Sequence, residues 1–287
     1  MRQLEKPEAK EKFAKKLLNL QKEKKVPFVI KATESSHGEG VFVVNSVIEK
    51  EDKLSLNLVN GNIVFLADVL KNDDELIVEK LIKQTEQFSS FNRTSVNTVR
   101  FMTTLYPTGE AKIIATFIKI GRNGAYVDNA GAGGNVDANI DVETGEINNV
   151  IRFSGFRNVE SIENHPDTGV LLNGIRIDNW DAIKAKVVEY QQLFPFVKAA
   201  GWDIAITDDG PIVIEVNDSW DRTGQLFINR GWKKEIKDCF NAWNINTFIQ
   251  TFNCNNCLVW IRFIESIFYI LSFSCRLIRC EMSNFHV

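Results

Sequence analysis

Cysteine is absent from the chain up to residue 238, which excludes a thiol nucleophile from that part. Histidine is nearly as scarce, with only His37, His165 and His286. No charge of one sign dominates: 34 basic residues stand against 37 acidic ones, a net charge of -3 that argues against nucleic acid as the main partner. The first 25 residues hold no apolar core and are dominated by Lys and Glu, so no signal peptide is read there and a cytoplasmic location is expected. No integral membrane segment is expected either, because the best apolar stretch, LVWIRFIESIFYILSFS, is interrupted by Arg262 and Glu265. What is present is ordinary: 287 residues, 44% hydrophobic and 25% charged, long enough for a substantial core and for two domains.

The five cysteines all lie in residues 239–287, which contain no Gly, Pro or Lys and are crowded with Phe, Ile and Asn. Cys254 with Cys257 and Cys275 with Cys280 have the paired grammar of a zinc knuckle, yet the residues between them are mostly large and apolar, without the turns a small metal loop needs. The favoured reading is a tail from 238 to 287 outside the fold, such as an out-of-frame extension.

Residues 1–25 read as a basic helix with a narrow apolar stripe, Phe13, Leu17, Leu18 and Leu20, packed by one edge. VPFVIK is a strand ending at Lys31, and VFVVNSVI is a second strand. Between them runs a small-residue loop with Ser35, Ser36, His37, Gly38, Glu39, Gly40 and Val41. Backbone N–H groups in such a loop cradle phosphate oxygens, and the lysine before it adds a cation. The bland alternative is a flexible hairpin loop, and the Walker pattern of Gly-Lys-Ser/Thr opening a helix is absent. Further on, a short helix is expected near 66–71, a strand at Leu76 to Val78 runs into Glu79-Lys80-Leu81-Ile82, and SVNTVRFMTTLYP, EAKIIATFIKIG and GAYVDNAGAGG read as strands. DNAGAGGNVDANIDVETG, rich in Gly and poor in bulk, reads as a loop whose backbone approaches something closely. NWDAIKAKVVEYQQLFP is a helix opened by Asn179 and closed at Pro195, with Ile183, Val187, Val188 and Leu193 near helical spacing.

GWDIAITDDGPIVIEVND gives two alternating strands joined by Asp208-Asp209-Gly210-Pro211. Glu215 and Asn217 are two residues apart and face one way, with Asp203 on the partner strand. Two carboxylates and an amide suit a hard cation such as magnesium. Taken alone, the hairpin reads equally as an exposed turn with solvated acids.

The order of these parts resembles the ATP-grasp superfamily, and most closely the sugar-transfer-associated ATP-grasp proteins, over about residues 20–235. The resemblance implies an α+β fold of two lobes with antiparallel sheets clasping ATP, a small lobe at 26–80 and a larger one at 81–237. It implies Lys31 and the loop from Ser35 to Val41 as phosphate contacts, and the backbone of Glu79-Lys80-Leu81-Ile82 as the adenine reader. Glu86 matches a ribose-binding carboxylate, Arg100 an arginine facing the transferring group, and Asp203, Glu215 and Asn217 the magnesium ligands. Asp128-Asn129 with Gly131, Gly133 and Gly134, the turn His165-Pro166-Asp167-Thr168-Gly169, and Trp220-Asp221-Arg222 are left as acceptor-side elements. The implied activity is ATP- and magnesium-dependent joining of a small-molecule carboxylate to an amine or hydroxyl acceptor, in cell-surface polysaccharide biosynthesis. An inactive nucleotide-binding remnant and a kinase are the alternatives. Members of the superfamily usually carry a preceding domain with an earlier nucleotide-contacting lysine, and against that pattern the chain reads as N-terminally short.

Overall fold

Strands rich in Val, Ile and Phe build two antiparallel sheets, each packed against helices. The computed structural model describes residues 7–32, 40–50, 53–70, 76–124, 134–153, 159–217, 224–245, 249–251 and 259–261. The smaller sheet comprises β1 (Phe28–Ala32), β2 (Phe42–Lys50), β3 (Lys53–Leu58), β4 (Ile63–Phe65) and β5 (Leu76–Lys80), in the order β4-β3-β2-β1-β5. Helix α1 (Pro7–Lys22) lays Phe13, Leu17, Leu18 and Leu20 against Phe28, Ile30, Val44, Val47 and Leu56 on one face of this sheet. The basic helix is therefore part of the smaller lobe, and Gln21 pins it by donating to the Val47 carbonyl at 2.8 Å. The short helix α2 (Leu66–Val69) sits where the sequence predicts it. Because neighbours on a strand alternate faces, Val29 and Lys31 point away from α1.

Residues 81–85 carry the chain across to the larger sheet, where Thr85 N–H donates to the Ile206 carbonyl at 2.9 Å. Helix α3 (Glu86–Phe91) follows, capped by Thr85. The larger sheet comprises β6 (Thr98–Leu105), β7 (Ala111–Ile120), β8 (Val136–Ile140), β9 (Ile147–Phe153), β10 (Val159–Ser161), β11 (Ala199–Thr207) and β12 (Gly210–Asn217), in the order β10-β9-β8-β7-β6-β11-β12. Helix α4 (Trp180–Leu193) covers one face, packing Trp180, Ile183 and Val187 on Val99, Phe101, Ile118, Val136 and Trp202. Helices α5 (Gly224–Ile228) and α6 (Lys233–Ala242) cover part of the other, where Phe227, Ile236 and Phe240 meet Met102, Ala115, Phe117 and Ile151. A last hairpin joins β13 (Ile249–Thr251) and β14 (Val259–Ile261).

Several expectations change. Val136–Ile140, read as loop, is a buried inner strand: Val136, Ala138 and Ile140 face the α4 core while Asp137 and Asn139 face the other side. Its polar alternate positions imitate loop composition. Leu193 is exposed, and Trp180 and Gln191 are the buried ends of α4 instead. The boundary expected at 238 falls inside α6, whose Cys239 and Phe240 are buried and after which the Trp243 indole donates to the Leu105 carbonyl at 2.6 Å. Among the described residues no helix is long and apolar enough to cross a membrane.

Candidate active site

The hairpin β11–β12 carries the carboxylates, and a bulge decides where they point. Counting back from the turn, where Thr207 pairs with Gly210, Asp203 would meet Ile214. A register shift between Asp203 and Ile204 sets Asp203 opposite Glu215 and Gly201 opposite Asn217. The extra residue turns Glu215 away from the α4 core, which Val213 and Val216 still join.

Asp203 is 1% exposed and sits at the centre of a charged row. Arg100, its register partner on β6, donates Nε to Oδ1 at 2.5 Å and Nη2 to Oδ2 at 2.8 Å. The Phe117 ring lies 5.9 Å from that guanidinium carbon. Lys119 on β7 reaches across β6 to place Nζ 3.2 Å from Asp203 Oδ2. Burial pushes the Asp203 carboxyl up, but the Lys119 ammonium and then the Arg100 guanidinium outweigh it and hold the group below the ordinary carboxylate range. Glu215 is exposed at the open edge of the row, and its carboxyl shifts the other way, raised by partial desolvation and by the hydrogen bond and charge of Asp203. Asn217 Nδ2 donates to Glu215 Oε1 at 3.1 Å, completing the row.

Asp203, Glu215 and Asn217 are thus brought together, and Arg100 joins them. Lys119 and Asp137 escaped the sequence reading. Asp137 is fully buried and pairs in register with Lys119, so both lie on the face of Arg100 and Asp203. The trace they leave in sequence is a charged residue in the alternate positions of an apolar run, Ile118-Lys119-Ile120 and Val136-Asp137-Ala138.

On the smaller sheet Lys31 and Glu79 form an ion pair between β1 and β5. Lys80 ends β5, and Leu81 and Ile82 lie half-buried in the connection. Glu86 is exposed in the first turn of α3 and pairs with Arg93. Gly40, with φ 74°, and Val41 lead into β2, while Ser35, Ser36, His37, Gly38 and Glu39 lie outside the described residues. So do Asp128, Asn129, Gly131, Gly133 and Trp220, Asp221 and Arg222.

His165 serves the fold. Its ring is buried, Nδ1 accepts from the Asp167 and Thr168 N–H groups at 3.3 Å, and Nε2 meets the Gly121 carbonyl at 3.1 Å. Burial lowers its pKa and keeps the ring neutral. Asp167 accepts both Arg122 Nε (2.7 Å) and Nη2 (2.6 Å), which hold it down to about 2.

The donor chemistry fits a hard divalent cation: two carboxylates in contact, whose mutual crowding a cation relieves, beside an amide. Among the described residues no group of three or more His, Cys, Asp or Glu gathers.

A family model described as sugar-transfer associated ATP-grasp matches residues 5–240. The chain belongs to that family. This ATP-grasp chain therefore has the α+β architecture of two antiparallel sheets joined by the 81–85 connection, and ATP is the nucleotide the family fold implies. Among curated proteins no relative matches it. A solved structure of D-alanine–D-alanine ligase from Bacillus anthracis, complexed with ATP, is similar at 14% identity and a TM-score of 0.34, covering 77% of this chain. The ATP-grasp chain spans 55% of that ligase's length.

Proposed function

We propose that the chain binds ATP with magnesium and joins a small-molecule carboxylate to an amine or hydroxyl acceptor, within cell-surface polysaccharide assembly in the cytoplasm. The observation that carries this reading is the row Asn217–Glu215–Asp203, with Arg100 and Lys119 on the same sheet face. Acyl-phosphate chemistry gathers negative charge, and catalysis consists of fixed cations placed where that charge develops.

Asp203, Glu215 and Asn217 would hold the magnesium, which when bound neutralises phosphate charge. Lys31 would hold the phosphates from the smaller sheet, with the sequence from Ser35 to Val41 as the second proposed phosphate contact. The backbone of Glu79-Lys80-Leu81-Ile82 reads adenine, and Glu86 the ribose once it leaves Arg93. Arg100 offsets charge at the transferring group. The substrate carboxylate attacks the γ-phosphorus and ADP leaves; the acceptor nucleophile then displaces phosphate from the acyl carbon. No enzyme nucleophile enters, in keeping with the absence of Cys up to residue 238.

The test is ADP release over a panel of carboxylates with amine and hydroxyl acceptors, with mass spectrometry of the products. A condensed product supports the reading. A phosphorylated, uncondensed product, or ATP binding without any turnover, contradicts it.

A further inference from the structure

The geometry points to Lys119 as an internal counter-ion that makes cation binding at Asp203 and Glu215 conditional on the nucleotide's phosphates. This rests on the magnesium and ATP reading above and adds how the two ligands are coupled.

Lys119 is 5% exposed on an inner strand, an expensive place for an ammonium unless it is paired. It stands opposite Thr98 on β6, so its stem crosses one strand to bring Nζ to Asp203 Oδ2, the oxygen that also accepts Arg100 Nη2. The two cations hold that carboxylate differently. Arg100 is a bidentate fork, register-paired with Asp203 and backed by Phe117. Lys119 makes a point contact from a flexible stem, which exchanges partners more readily. A bare divalent cation approaching Asp203 meets two positive charges already on it. A polyphosphate at the same face draws the ammonium to itself and opens the carboxylate pair. Metal and nucleotide then favour each other's binding, and the coupling is reciprocal.

Removing the Lys119 charge while keeping its stem therefore has opposite effects on the two ligands. In Lys119→Met, manganese without nucleotide, read by electron paramagnetic resonance of the free ion, binds tighter on the order of 5- to 150-fold. ATP in the presence of EDTA, read by calorimetry, binds more weakly by a comparable factor. Lys119→Arg, which keeps the charge but not the loose point contact, binds manganese alone no tighter than wild type. A tighter metal site is not a product of misfolding, so the signs separate this role from a structural one.

Manganese affinity that is unchanged or weaker in Lys119→Met overturns the inference. A wild-type chain that takes up no manganese–ATP overturns the functional reading itself, and this inference with it. If Lys119→Met does not fold, wild-type protein decides. The 13Cε signal of Lys119, assigned by its loss in Lys119→Arg, shifts when ATP is added with EDTA, and a signal that stays in place contradicts the proposal.

Discussion

Asp203 concentrates the electrostatics of the larger lobe. Its carboxylate is shared by Arg100 and Lys119, so Asp203→Asn removes a negative charge that both buried cations contact. Breaking a buried ion pair from one side is costly, and a stability loss of about 3 kcal/mol in urea denaturation is expected. A loss below about 0.5 kcal/mol would show that Asp203 is not central to the packing. The clamp at 165–168 gives a pH signature. His165 is depressed from 6.5 by burial, so its contribution is complete above that value and falls away as pH drops below it. Asp167 is depressed from 3.8 to about 2, so its contribution is complete above 3.8 and is lost between the two values. Melting temperature should fall in these two windows, and Asp167→Asn should erase the acid-side step of about 1 kcal/mol after solvent screening. An unaltered acid limb in that variant would contradict the assignment. At this scale the sequence revealed residue types and spacings, Asp203 with Glu215 and Asn217 above all. It concealed Lys119, because a lysine in an apolar run tells nothing of the carboxylate across two strands.

Elements turn on small counts. The bulge beside Asp203 is one residue, yet without it Glu215 would face the α4 core. Deleting Ile214 removes the extra residue and leaves Glu215 next to Val213, opposite Asp203 in the register counted from the turn, so manganese binding should persist while far-ultraviolet circular dichroism keeps its strand content. Lost binding in a variant that keeps its strand content would show that the register opposite Asp203 does not aim Glu215. Such a bulge was not legible, since the consecutive apolar residues Ile212, Val213 and Ile214 suit either register up to the point where it occurs. The inner strand β8 was hidden for a related reason: its site-facing positions, Asp137 and Asn139, are polar, and a strand polar on one face and near a glycine run resembles a loop. Helix α6 was misjudged by composition. The change near Cys239 is real in sequence, but the Cys239 thiol is buried, donates to the Leu105 carbonyl at 3.2 Å and is pushed up to about 11 by burial. Phe240→Ala should cost about 3–5 kcal/mol, as for other buried aromatic truncations, whereas a foreign tail residue would cost nothing measurable.

For the whole molecule, the order of parts was more legible than any one part. A strand ending in lysine, a glycine-rich loop, a connection and a distant acidic hairpin together identify the family, which matches residues 5–240. Each is ambiguous alone, because glycine loops and solvated acids are common. What the order could not give is the pairing of Lys31 with Glu79 and of Arg100 with Asp203, ion pairs set by strand neighbours remote in sequence. In the function proposed above, the two ends of this order form one nucleotide site: Lys31 on the smaller sheet and Glu215 with its neighbours on the larger. Calorimetric titration of ATP with magnesium into the wild-type chain, Lys31→Ala and Glu215→Gln tests it most directly. Binding by the wild type should require magnesium and weaken at least about tenfold in each variant. Binding that is indifferent to magnesium, or equal in all three proteins, would contradict it.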